Sequence, residues 1–212
     1  MIWTILLPVF LVFCVLMGTE YVARTGRIHA ELTRKFVHMT VGTFVAFWPF
    51  FLSWPEIVWL SVAFLAVILV SIKWNIFQSI HNVDRNVWGE IWFAIAIGLL
   101  VFASGRNQWI FMAAMLNLSL ADGLAATVGI TWGDTNRYRV FGWTKSRAGT
   151  AAFFVTSVGI SASYVASSHS SWSLLTLVGL PLAATAAENL AVLGADNLVM
   201  PLLVAGLLRL SL

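Results

Sequence analysis

Residues 109–130 read WIFMAAMLNLSLADGLAATVGI, and this stretch decides the fold class. A helix crossing a bilayer needs roughly 20 mostly apolar residues, and the stretch has that length. Hydrocarbon offers no partner to backbone N–H and C=O groups, so a crossing segment is a helix or a strand of a closed barrel. Barrel strands alternate polar and apolar residues, and these residues do not. The stretch reads as a transmembrane helix with one ionisable residue, Asp122, inside it.

The same composition recurs on both sides. Of 212 residues, 60% are hydrophobic and 10% charged, against about a quarter charged in soluble domains. Apolar blocks predict spans at Ile2–Met17, Phe36–Ser53, Pro55–Ile72, Trp88–Ala103, Trp109–Ile130, Ala148–Ala166, Ser173–Ala187 and Leu198–Leu210. The last is short enough to be re-entrant, so the expectation is seven or eight transmembrane helices in an all-α, polytopic membrane domain over residues 1–212. The first block lacks the basic start and small-residue cleavage site of a signal peptide. Cys14, the one cysteine, excludes an intrachain disulfide and reads as helix packing.

Charge divides by loop. Arg24, Arg27, Arg34 and Lys35 follow the first span, Lys73 and Arg85 the third, and Arg137, Arg139, Lys145 and Arg147 the fifth. The opposite side has Arg106 and Arg209. Lys/Arg enrichment marks the cytoplasmic side, which puts the N-terminus outside and accounts for the net charge of +3 without a nucleic-acid partner. Carboxylates follow the same division: Glu20, Glu31, Asp84, Glu90, Asp134, Glu188 and Asp196 lie near the basic side, and Glu56 lies opposite. Acidic residues contribute little to topology. Their gathering points to a site that opens to the cytoplasm, with ion pairing to the basic loops as the plainer alternative.

Four constellations carry chemistry. In Glu31-Leu-Thr-Arg34-Lys35-Phe-Val-His38-Met-Thr-Val-Gly42, Glu31, Arg34, Lys35 and His38 fall on one helical face. Arg34 and Lys35 could be boundary anchors that snorkel, but His38 lies one turn inside the apolar run, where ionisable groups are costly and functional. Asp122 is deeper still, and Ala125, Ala126, Gly129 and Gly133 share its face. Small residues at that spacing make a packing seam, but a seam does not need an aspartate. In Gly142-Trp-Thr-Lys145-Ser146-Arg-Ala-Gly149-Thr150, a lysine, hydroxyls and glycine precede a span, as at a phosphate-binding helix start. It is not a P-loop: the Walker glycine positions hold Thr144 and Arg139. Finally, Glu188, Asn189, Asp196 and Asn197 join the last spans. Hard oxygen ligands of this kind suit Mg²⁺, and a polar capping turn would use the same residues. Together the four supply what phosphoryl transfer needs, cations for phosphate oxygens and carboxylates for a metal, with Asp122 or His38 as general base.

The motifs Arg34-Lys35-x-x-His38-x-x-x-Gly42, Ala121-Asp122-Gly123-x-Ala125-x-x-x-Gly129, Lys145-Ser146-x-x-Gly149-Thr150, and Glu188 with Asp196-Asn197-x-x-x-Pro201 occur in this order. The chain thereby resembles the dolichol kinase and phytol kinase family of membrane lipid kinases, related to the phosphatidate cytidylyltransferases. The resemblance implies a kinase for a long-chain isoprenoid alcohol, with CTP as phosphoryl donor and a divalent metal, Mg²⁺. It implies Asp122, His38 and Lys145 as catalytic residues. Nucleotide binding would fall to Arg34, Lys35, Lys145, Ser146, Gly149, Thr150 and Asn197, and metal binding to Asp122, Asp196 and Glu188. The family often has glycine where this chain has Ala121, which alters backbone freedom beside Asp122. Phytol, geranylgeraniol, polyprenol and dolichol types all fit. Competing readings are a CTP:phosphatidate cytidylyltransferase and a small transporter or flippase; the latter is disfavoured because no internal repeat is seen and the polar groups cluster at one interface.

Overall fold

The computed structural model describes residues 2–24, 30–74, 88–191 and 194–210. Arg27, Asp84, Arg85 and the side chain of Arg24 lie outside the described residues. Helices α1 (Ile2–Arg24), α2 (Ala30–Ala46), α3 (Trp54–Trp74), α4 (Trp88–Ala103), α5 (Gln108–Trp132), α6 (Arg147–Ser168), α7 (Leu175–Leu190) and α8 (Asp196–Leu210) carry most of the chain. Four are long and apolar enough to cross a bilayer, namely Ile5–Val22 within α1, then α3, α5 and α6; α4 and α7 are apolar but shorter. The chain is an α-helical integral membrane protein.

Each expected span falls on a helix, but several ends move. Helix α2 begins at Ala30 instead of Phe36, because Glu31, Arg34 and Lys35 extend it as an amphipathic turn beyond the apolar run. It ends at Ala46 because Pro49 cannot donate into a continuing helix; Trp48–Phe50 form a 3₁₀ turn instead. Helix α3 then starts on a side-chain cap. Glu56 Oε2 accepts from both the backbone N–H and the hydroxyl of Ser53, each at 2.7 Å. The lone far-side carboxylate of the sequence is thus a helix cap.

Helix α5 is the central post. Ile110, Phe111, Met115 and Leu118 on it are buried, and α2, α6 and α8 pack around it. By contrast α1 and α3 present Leu7, Phe10, Trp59 and Leu69 outward, as lipid-facing surfaces should. Cys14, expected to pack between helices, is exposed on α1. A thiol serves there as one more apolar contact with lipid.

Two departures from regular helix position the site. Between α5 and α6 the chain makes a hairpin, β1 (Arg137–Val140) against β2 (Trp143–Ser146), with Tyr138 opposite Lys145. Its two-residue turn, Phe141–Gly142, has φ of 48° and 84°. Positive φ at both turn residues matches the right-handed twist of the strands, and Gly142 takes one of these positions at no steric cost. The all-α expectation therefore holds apart from this ribbon. Within α5, Asn117–Ala121 widen into a π turn immediately before Asp122.

Candidate active site

Helices α2 and α5 approach closely because each carries glycine at the contact. A Cβ on Gly42 would lie 2.4 Å from Ser119 Cβ, and one on Gly123 would lie 2.0 Å from Met39 Cγ. The approach brings Lys35 Nζ to 2.6 Å from Asp122 Oδ2, both side chains being about nine-tenths buried. Oppositely charged groups held in so little water attract strongly and are costly to separate. One turn inward, His38 Nε2 is 3.6 Å from the same Asp122 oxygen and 2.9 Å from the Leu118 carbonyl. A carbonyl oxygen can only accept, so Nε2 carries the hydrogen and donates it to Leu118. The π turn makes this possible. The Asp122 N–H bonds to Asn117 O and Ser119 O and passes over Leu118 O, its ordinary α-helical partner.

The facing wall comes from the hairpin, α6 and α7. Lys145 Nζ donates to the Glu188 carboxylate and, at 3.0 Å, to the Glu188 backbone carbonyl. Ser146 is the N-cap of α6, its hydroxyl accepting from Gly149 N–H at 3.0 Å. Asn136 Oδ1 takes the Ala148 N–H at 3.3 Å. Two of the helix-start N–H groups expected to meet a phosphate are therefore already bonded within the protein. Tyr138 bonds to Thr150, at 2.5 Å, and to Asn189, tying the hairpin to α6 and α7. The small face of α5 lets α6 in: a Cβ on Gly149 would lie 2.7 Å from the Ala125 carbonyl.

Between these walls is an open cavity of about 460 Å³ lined by Lys35, Asp122, Lys145, Ser146, Gly149, Thr150, Glu188 and Asp196, together with Glu31, Arg137, Thr144 and the Ala125–Ala126–Gly129 face. Arg34, His38 and Asn197 do not line it. They face a smaller, mainly apolar cavity on the other side of α2. Arg34 forks onto Glu31 at 2.7 and 3.1 Å, and Asn197 Nδ2 donates to the Gly89 carbonyl at 2.8 Å, joining α8 to α4.

The chain is 33% identical over 202 residues to the phytol kinase of Synechocystis sp., the match covering 89% of this chain and 82% of that protein. This chain belongs to the phytol kinase family. No family model and no solved structure matches it. The match covers most of the chain, so the family assignment does not rest on one motif.

Reading the sequence of this phytol kinase family member passes over Tyr138, which looks like an aromatic in a basic loop. It also passes over Glu90 as a site residue, since an acidic residue in the first turn of an apolar helix reads as a dipole partner. Among the described residues no three His, Cys, Asp or Glu side chains close into a metal shell. Mg²⁺ does not require one, since it commonly binds through one or two carboxylates plus substrate phosphates and waters. Asp196 fits that role. It lines the cavity, accepts from the Asn197 N–H at 3.1 Å, and pairs with no cation among the described residues.

Proposed function

We propose that the protein transfers the γ-phosphoryl group of CTP to a long-chain isoprenoid alcohol at the cytoplasmic face of the membrane, with Mg²⁺. Kinship with a phytol kinase supports the reaction class. The observation that carries the site is the placement of Asp122. It lies on the polar cavity, paired with Lys35, while His38, 3.6 Å from its carboxylate, lies on the apolar cavity behind. A polar donor and an apolar acceptor would meet across that pair. The reading takes the eight helices as seven or eight spans, α8 being the shortest at 15 residues, with the N-terminus outside.

In the resting cavity Lys35 neutralises Asp122 and Lys145 neutralises Glu188. A magnesium–polyphosphate complex would exchange these internal pairs for external ones. Lysines would turn to phosphate oxygens, while Asp122, Asp196 and Glu188 would hold the cation. Bound Mg²⁺ supplies charge neutralisation on the phosphates. The alcohol oxygen attacks the γ-phosphorus, the new O–P bond forms, and the bond to the β–γ bridging oxygen breaks, releasing CDP. Lys145 stabilises the charge left on CDP. His38 cannot take the alcohol's proton through Nε2, which already donates to Leu118 O, so it orients the groups around Asp122.

The test uses purified protein, Mg²⁺, a panel of lipid alcohols and CTP labelled either on the γ-phosphate or on cytosine. The expected result is γ-label in lipid, CDP released, and no turnover in Asp122→Asn. Cytosine label entering added phosphatidate would replace the kinase reading with cytidylyl transfer. No transfer of either label by folded protein would move the assignment to transport.

A further inference from the structure

Glu90 stands in the first turn of α4, and its Oε2 is sealed from solvent yet bonded to no group among the described residues. A buried carboxylate oxygen without a donor is costly, so the Glu90 carboxyl group is short of a hydrogen-bond partner. Glu90 faces the small apolar cavity with Arg34 and His38. That cavity shares Leu16, Val41, Phe64 and Val67 with a second one of about 270 Å³ that runs on between α1, α2 and α3 as far as Trp48. The two form one groove. Its far part is almost wholly apolar, and its near end holds Glu90 and His38, the latter in contact with the Asp122 pair.

We propose that this groove is the alcohol subsite: the isoprenoid tail lies between α1, α2 and α3, and the hydroxyl donates its hydrogen to the Glu90 carboxylate, which lines the near end. As the O–P bond forms, that O–H bond breaks and the proton passes to the Glu90 carboxylate, while CDP leaves with the electrons of the cleaved bond. The assignment rests on the kinase reading above. A rival groove of about 690 Å³ lies on the other face of α2, against Cys14, Phe36, Met39 and Leu124. It is larger, but it has no charged side chain in its lining. Thr19 and Thr127 there donate to carbonyls of their own helices at 2.8 and 2.9 Å. It offers no counterpart to the Glu90 carboxylate.

The experiment combines mapping with kinetics. Wild-type protein in detergent is photolabelled with a C20 isoprenoid alcohol carrying a diazirine in its tail, and labelled peptides are sequenced. Label near Leu16, Val41, Phe64 and Val67 is expected; label near Phe36, Met39 and Leu124 would overturn the proposal. In parallel, Glu90→Leu should raise the KM for the alcohol at least about tenfold, the usual scale for a hydrogen bond to a charged group. The nucleotide KM should stay within about twofold, and Glu90→Gln, which keeps an acceptor, should recover part of the alcohol affinity. An unchanged alcohol KM in Glu90→Leu would overturn the hydroxyl assignment. Wild-type protein that labels in the groove but phosphorylates no alcohol would instead sink the kinase reading and leave the lipid subsite standing.

Discussion

Lys35 and Asp122 make a pair whose coupling can be measured apart from catalysis. At 2.6 Å and about nine-tenths buried, the pair has a Coulomb attraction of about 6 kcal/mol at an effective dielectric near 20. Desolvation of both ions offsets much of this. Removing one partner leaves the other charge about nine-tenths buried without its counter-ion, at a cost of about 3–5 kcal/mol. Removing both leaves no such charge. Lys35→Met and Asp122→Asn should therefore each lower the apparent melting temperature in detergent by roughly 6–20 °C, at about 2–4 °C per kcal/mol for a chain of this size. The double variant should melt well above the sum of the two losses, with a coupling of about 2 kcal/mol or more. Melting curves by intrinsic fluorescence for wild type, both singles and the double complete the cycle. Additivity within about 0.5 kcal/mol would refute the pairing. All three variants should lack kinase activity, so the recovery of stability in the double separates structural from chemical loss.

Glycine contacts give a graded series. Gly42→Ala meets Ser119 Cβ at 2.4 Å on a rigid turn and should cost about 1–3 kcal/mol by overpacking, whereas Gly123→Ala meets the flexible Met39 and should cost less. Gly18→Ala, with nothing within 4 Å, should be neutral or stabilising in the same melting assay. Two helix caps should part in function: Asn107→Ala and Ser146→Ala each lose an N-cap, about 1 kcal/mol of stability. Activity should fall in Ser146→Ala alone, since that cap lines the cavity and Asn107 starts α5 at its far end. Chelation should abolish phosphoryl transfer, and Mg²⁺ should restore it; activity that persists in excess chelator would remove the metal from the mechanism. Lys145→Ala should raise the nucleotide KM by about tenfold or more with little change in alcohol KM.

The helices were legible because apolar length is a local, additive signal. Asp122, Lys35, Lys145, Glu188 and Asp196 could be singled out because carboxylates and cations at a membrane boundary are expensive. Their common cavity was not legible, since which face of α2 meets α5 depends on packing across the bundle. The same cause divides Arg34 from Lys35. Adjacent residues point about 100° apart around a helix, and the two line different cavities. The hairpin was hidden because Phe141 takes a positive φ that sequence patterns reserve for Gly, Asn and Asp. Glu90 was visible as a charge, but an orphaned oxygen is a property of its surroundings. The π turn at 117–121 has no compositional signature at all.

That turn has a consequence for how α5 can change. An uninterrupted α-helix is a single screw, in which any shift of its upper half re-aims its lower half. The wide turn at Asn117–Ala121 acts as an extra index step of about 100°, setting the phase of residues 108–116 against the core independently of residues 122–132 against the cavity. Repacking around Phe111 and Met115 can be taken up in the wide turn before it reaches Asp122. Deleting one residue from the turn would restore a single screw and swing the carboxylate away from both Lys35 and the cavity, while leaving every side chain in the site chemically intact.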